Sequence, residues 1–250
     1  MKIATWNVNS LRVRLPHLLD WLKAAQPDVV GLQELKLHDE IFPHAEIQAA
    51  GYHAVCNGQK TYNGVALLSK KPAEDVARDI PGFDEQKRMI AGTFDGVRVI
   101  SVYVPNGQKV GAEKYQYKLR WYEALRGWLS GQLAIHQKLA IVGDYNVAPA
   151  DLDVHDPVVW DGKILCSDPE RAALRGLIAL GLVDTFRALH PQEPGYTWYD
   201  YRTLALQRNL GLRIDHILAT PALPAKACAV DMAPRHLERP SDHAPVLAEF

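Results

Sequence analysis

Cysteine is scarce. Only Cys56, Cys166 and Cys228 occur in 250 residues, and no two form a CxxC pair or a Cys/His pattern that would hold zinc. That argues against a disulfide framework, and three reduced thiols fit a cytoplasmic protein. An excess of positive charge is also missing: 28 Lys and Arg stand against 29 Asp and Glu, a formal net charge of −1. That argues mildly against a chain that coats nucleic acid by overall charge and leaves room for a local basic patch or a bound cation. No stretch approaches the ~18 apolar residues of a membrane span. The opening MKIATWNVNS lacks the apolar core of a secretory signal, so a cytoplasmic chain without membrane segments is expected. No repeat, low-complexity tract or linker divides the sequence, and residues 1–250 are read as one domain.

What is present is enough apolar material for a sizeable core, 48% of the chain. Lys2–Trp6 reads as a strand, and Ser10 as the cap of a helix that runs to about Ala25 and stops before Pro27. Short strands are expected at Asp28–Gln33, Tyr52–Cys56, Gly64–Ser69, Met89–Phe94, Val97–Val104, Leu139–Gly143, Leu212–Ala219 and Pro245–Phe250. Asp95-Gly96 is a two-residue hairpin signal. Helices are expected over Glu113–His136 and Arg171–Leu180, the latter ended by Gly181. Consecutive strands flanked by helices point to mixed sheets in an α/β protein.

Polar residues gather where these apolar strands end. Asn7, Glu34, the Pro105-Asn106-Gly107 turn, Asp144-Tyr145-Asn146, Asp215-His216 and Ser241-Asp242-His243 all stand at strand edges and could meet on one rim. Singly, each has an ordinary explanation: a turn, a helix cap, an Arg213–Asp215 pair. The aromatic run Tyr196, Trp198, Tyr199, Tyr201 reads equally as core packing. Their joint occurrence, in this order, points to a site.

The motifs KIATWNVNSLRVRLP, DVVGLQELK, YNGVALLSK, VYVPNG, VGDYNVAPADLD, YTWYDYR, GLRIDHIL and SDHAPV span nearly the whole chain. Together they resemble the exonuclease III family of the endonuclease/exonuclease/phosphatase superfamily. That resemblance implies two packed mixed β-sheets with helices on the outer faces, a four-layer, DNase I-like α/β sandwich. It implies a metal-dependent DNA repair phosphodiesterase, with 3′→5′ exonuclease activity on double-stranded DNA, 3′ end-trimming and abasic-site incision. Magnesium, with manganese as a substitute, suits an oxygen-ligand site.

The resemblance also assigns residues. Glu34 is the principal metal ligand, within a set of Asn7, Glu34, Asp144, Asn146, Asp242 and His243. Tyr103, Asp144, Asn146, Asp215 and His243 are catalytic, with Asp144 at the attacking water and Asp215 paired to His243, which acts either as base or as an electrostatic clamp. Asn63, Gly64, Asn106, Trp198 and Leu212 would contact DNA, the last two beside a pocket, completed by Ile214, for a base-free sugar. Lys60, Lys87, Arg88, Lys109, Lys114, Lys118, Arg202 and Arg208 are candidate phosphate contacts. The partner is double-stranded DNA with abasic sites or blocked 3′ ends, met by a monomer. The alternative is a superfamily phosphatase acting on a substrate such as inositol phosphate.

Overall fold

A computed structural model describes residues 1–83 and 85–250. Among the described residues twelve strands form two six-stranded sheets. They are β1 Lys2–Asn7, β2 Val29–Gln33, β3 His53–Asn57, β4 Val65–Ser69, β5 Glu74–Arg78, β6 Met89–Phe94, β7 Val97–Tyr103, β8 Leu139–Asp144, β9 Val183–Asp184, β10 Asp215–Ala219, β11 Ala227–Val230 and β12 Val246–Glu249. The helices are α1 Leu11–Ala25, α2 His44–Ala49, α3 Glu113–Ile135, α4 Pro157–Trp160, α5 Asp168–Ile178 and α6 Thr185–Leu189. None of them is long and apolar enough to cross a membrane.

The first sheet runs β11-β12-β1-β2-β4-β3 and the second β5-β6-β7-β8-β10-β9. Each has one parallel pair at its centre, β1 with β2 and β7 with β8, inside otherwise antiparallel neighbours. The central strands are apolar on both faces because both faces are covered. In β1, Ile3 enters the core between the sheets while Ala4 and Trp6 pack under α1 with Leu18 and Leu22. In β8, Ala140 and Val142 face the sheet-to-sheet core while Leu139 and Ile141 meet Trp121, Leu125 and Leu129 of α3. The order helix, sheet, sheet, helix is the expected four-layer α/β sandwich.

Several local expectations need correction. Ser10 precedes α1 but makes no side-chain cap; its φ is +89°, and its carbonyl takes the amides of Val13 and Arg14 instead. The last long strand begins at Asp215, not Leu212, since Leu212 is drawn off to bridge Val154 and Trp198. Helix α5 starts earlier than the apolar pattern indicated, where Ser167 and Glu170 form a capping box. Strands β5, β9 and β11 carry little apolar periodicity and are edge or near-edge pairings made by the tertiary fold. The Asp95-Gly96 hairpin is present, both residues at positive φ (51° and 76°) and Phe94 paired with Val97.

Lys118 is the largest departure. It is fully buried rather than offered to phosphate, and its ammonium donates to Asn146 O (2.7 Å), Asn106 O (3.2 Å) and the Glu170 carboxylate. Three N–H donors thus meet three acceptors, and one side chain fixes two turns of the polar rim. Lys118→Met would strand the Glu170 charge in the interior, a loss of about 3–5 kcal/mol. Urea unfolding should show this as a lower midpoint at unchanged slope, largely restored in the Lys118→Met/Glu170→Leu double variant; a single variant as stable as the parent would refute the assignment.

Candidate active site

Strand direction brings the polar residues together. Strands β1, β2, β7 and β8 end on the same rim at which β10 and the segment before β12 begin, because those two run antiparallel to their neighbours. Asp144 is paired in register with both Tyr103 and Asp215. Gly143, at φ +153°, makes this tight fit possible: a Cβ there would sit 2.0 Å from Val102 O.

At the centre, one Asn7 amide nitrogen donates to Glu34 Oε1 and to Asp144 Oδ2, both at 2.9 Å. Glu34 hangs from the first sheet and Asp144 from the second, so a single amide joins the two halves of the site. Only nitrogen can sit between two carboxylate oxygens without repulsion, which fixes the amide's orientation, and its oxygen accepts the Asn9 N–H at 2.9 Å. In this arrangement the Asn7 amide bridges the two acids. Lys36 closes the arrangement, 2.8 Å from Glu34 Oε2 and bonded to Asn9.

His243 lies between two acids. Its Nδ1 is 2.9 Å from Asp215 Oδ2 and its Nε2 is 3.8 Å from Asp144 Oδ2. Burial alone would lower its pKa, but Asp215 and Asp144 outweigh burial and hold the ring cationic. Asp215 Oδ2 also accepts the Thr197 hydroxyl at 2.6 Å, while Asp215 Oδ1 has no hydrogen-bond partner among the described residues. Arg213 is not the partner of Asp215; it pairs with Asp153 and Asp184. Burial raises the Asp144 pKa above the usual carboxylate range, opposed by the His243 charge. Asp144 is further held by the Asn146 N–H (2.8 Å) and side-chain amide (3.2 Å). Tyr103, bonded to Glu34, stays a neutral donor, because burial and the Glu34 and Asp144 charges lift its pKa far above 10.

One oxygen each of Glu34 and Asp144 and one ring nitrogen of His243 lie within 4.8 Å of one another. With the ring protonated, the carboxylates of Glu34 and Asp144 are the donors of this group, and an oxygen pair partly open to solvent at Glu34 fits a hard divalent cation better than zinc. Asp242 stands outside this group. It accepts from Trp198 Nε1 (3.0 Å) and Asn9 (2.8 Å) and stays ionised: burial opposes that, and His243 together with these donors prevails. Asn146 faces Asp144 through nitrogen and accepts from the exposed Asn106 (3.0 Å).

The remaining expected contacts divide. Asn63 and Gly64, both at positive φ, lie beside Leu35 and Lys36, and the Asn63 side chain is turned inward to Gln59. Trp198 is half-buried at the rim, whereas Leu212 has no exposed surface and supports it from below. Asn9, Lys36 and Thr197 were missed as site residues. Only Asn9 left a sequence signal, an Asn between the end of β1 and the start of α1.

A cation pocket of carboxylates beside a charged imidazole, at the mouth of a paired-sheet sandwich, defines the class of metal-dependent phosphoesterases. The chain belongs to the endonuclease/exonuclease/phosphatase family, whose model matches residues 4–243. It is 39% identical to exodeoxyribonuclease III of Haemophilus influenzae over the full length of both chains. Among solved structures it resembles the 3′-5′ exonuclease NExo of Neisseria meningitidis, with TM-score 0.98 and 50% identity over 100% of this chain and 99% of that one. It also resembles an AP endonuclease of Archaeoglobus fulgidus, with TM-score 0.95 and 43% identity over the same shares.

Removing the Asp215 charge should release the His243 proton. In Asp215→Asn, an NMR titration of the metal-free protein should move the His243 pKa down toward the ordinary 6.5, and an unshifted titration would show that Asp144 alone holds the ring cationic.

Proposed function

We propose that this chain is a magnesium-dependent DNA repair nuclease, with manganese as a substitute, that removes nucleotides and blocking groups from 3′ ends of duplex DNA. The observation that carries this reading is the Asn7 amide holding Glu34 and Asp144 together beside His243. The relative from Neisseria is described both as a 3′-5′ exonuclease and as a 3′ phosphatase bound to product DNA, which agrees with action at 3′ ends.

Phosphodiester hydrolysis needs an activated water, neutralised phosphate charge and a stabilised leaving oxygen. A magnesium ion held by Glu34 and Asp144 supplies part of that charge neutralisation. The cationic His243 holds a phosphate oxygen, and Asn146 and Tyr103 donate to the same group as charge builds on it. Asp144, beside the Asn146 and Asn7 amides, orients the attacking water and takes its proton. Asp215 and Thr197 fix the imidazole from behind. Thus His243 acts as clamp and Asp144 as base.

The rim supports end-trimming above incision at an extrahelical sugar. Beneath Trp198 the space is filled by Leu212, Ile214, Leu165 and Val154, all buried. Two end-labelled duplexes test this, one with a recessed 3′ end and one with an abasic analogue. With magnesium the 3′ end should shorten and the lesion be cut at least ~10-fold more slowly; EDTA should stop both. Faster cutting at the lesion would reverse the ranking, and no cleavage of either with any divalent metal would favour a phosphatase on a substrate such as inositol phosphate. Asp144→Asn should lower turnover by about 10²–10⁴-fold while duplex affinity, read by anisotropy, stays close to that of the parent. Near-parental turnover would place the base elsewhere.

A further inference from the structure

A second cavity lies at the opposite end of the same strands. Met1 at the start of β1, Val29 at the start of β2, Ser69 at the end of β4, the Phe94–Val97 hairpin, Lys138 before β8 and Leu223 after β10 surround a cleft of about 580 Å³. A six-residue strand spans roughly 17–20 Å, so this cleft and the catalytic rim occupy opposite ends of the sandwich.

Its floor is apolar: Val29, Phe94, Val97 and Leu223 are buried beneath it. Its rim carries four lysines. Lys70 and Lys71 are neutralised by Asp28 (3.0 Å) and Asp95 (2.8 Å). Among the described residues, Lys138 and Lys226 have no carboxylate within salt-bridge distance, so the rim has two uncompensated positive charges over an apolar base.

We infer that this basal cleft docks an acidic peptide segment of a partner protein, with a bulky apolar side chain seated on Phe94 and Val97 and acidic side chains meeting Lys138 and Lys226. The volume is far larger than a lone phosphate or carboxylate and within the range of organic ligand sites. The apolar base has nothing for a phosphate backbone to bind, which disfavours duplex DNA. Asp28 and Asp95 are already engaged by Lys2 N–H, Lys70 and Lys71, so the ammonium groups of Lys138 and Lys226 are what a ligand meets at the rim, and an acyl chain has no charge along its length to meet them. A partner held there leaves the catalytic rim free for substrate.

Random twelve-residue peptides displayed on phage would be panned in parallel on the full chain and on its Lys138→Glu/Lys226→Glu variant, and the best binder synthesised and titrated. The expected result is enrichment, on the parent chain alone, of peptides combining aromatic or large aliphatic residues with Asp and Glu. Affinity should fall at least ~10-fold on the variant as charge-assisted contacts are lost. No acidic enrichment, equal binding to both chains, or displacement by a short DNA duplex would each overturn the proposal. Unchanged nuclease activity of the variant shows that it is folded, since neither lysine belongs to the catalytic rim.

Discussion

The site depends on how closely two sheets can approach each other. At Gly31 of β2, a Cβ would lie 2.8 Å from both Ser101 Oγ of β7 and Val142 Cγ2 of β8, so the side chains of the second sheet there reach the backbone of the first. Two residues nearer the rim the contact becomes polar: the Gln33 amide donates to Ser101 Oγ and to Thr5 Oγ1, both at 3.0 Å. Buried hydrogen bonds are directional, and leaving them unmade is costly, so this cross-sheet set fixes a register that apolar contact alone would leave free to slide. Asn7 then spans the gap between Glu34 and Asp144. A slide of even ~1 Å would break at least one of its two 2.9 Å contacts.

Behind the rim, buried ion pairs do the positioning. Arg213 is held by Asp153 (2.7 Å) and Asp184 (2.8 Å) and touches His216 Nδ1, whose other nitrogen is 3.0 Å from Val147 O. Lys118 holds the Asn146 carbonyl from the other side. The turn that carries Asp144 and Asn146 is thus fixed at both flanks by cations that have their own carboxylates. Such pairs add little net stability compared with apolar packing; what they confer is geometry. Arg235 works similarly on the opposite lip: it is buried and donates to the carbonyls of Ser241 and Tyr199, tying the Asp242–His243 turn to the aromatic segment.

The sequence was most legible where polarity contradicts local pattern. Asn7, Glu34, Asp144 and Asp215 each border a strand buried on both faces, and a polar residue there needs a partner or a task. The central strands were readable for the same reason, as continuous apolar runs. Residues whose role is set only by distant chain were not. Lys118 looks like any helical surface lysine until Glu170, 52 positions on, arrives beside it. Leu212 sits between strand-like neighbours, yet Trp198 and Val154 take it out of the sheet. Ser10 has the right identity for a cap, but the turn needed to bring Asn9 to Asp242 sets its φ at +89°. In each case tertiary contacts overrode a local preference worth about 1 kcal/mol.

Two carboxylates face one imidazole, and their surroundings separate their roles. Asp215 presents Oδ2 to both His243 Nδ1 and the Thr197 hydroxyl, and Thr197 Oγ1 in turn accepts the amides of Ile214 and Asp215. That closed local loop leaves Asp215 no freedom to turn toward substrate and makes it a fixed counter-charge. Asp144 is 3.8 Å from the other ring nitrogen, too far for a direct hydrogen bond, and its donors are amides of Asn7 and Asn146. Its charge is stabilised less than a salt-bridged acid's would be, and burial raises its pKa above the usual carboxylate range. An imidazolium held by one acid and facing a second has no free lone pair with which to accept a further proton. The same geometry that charges His243 therefore favours the proposed division, with proton uptake at Asp144 and phosphate binding at the ring.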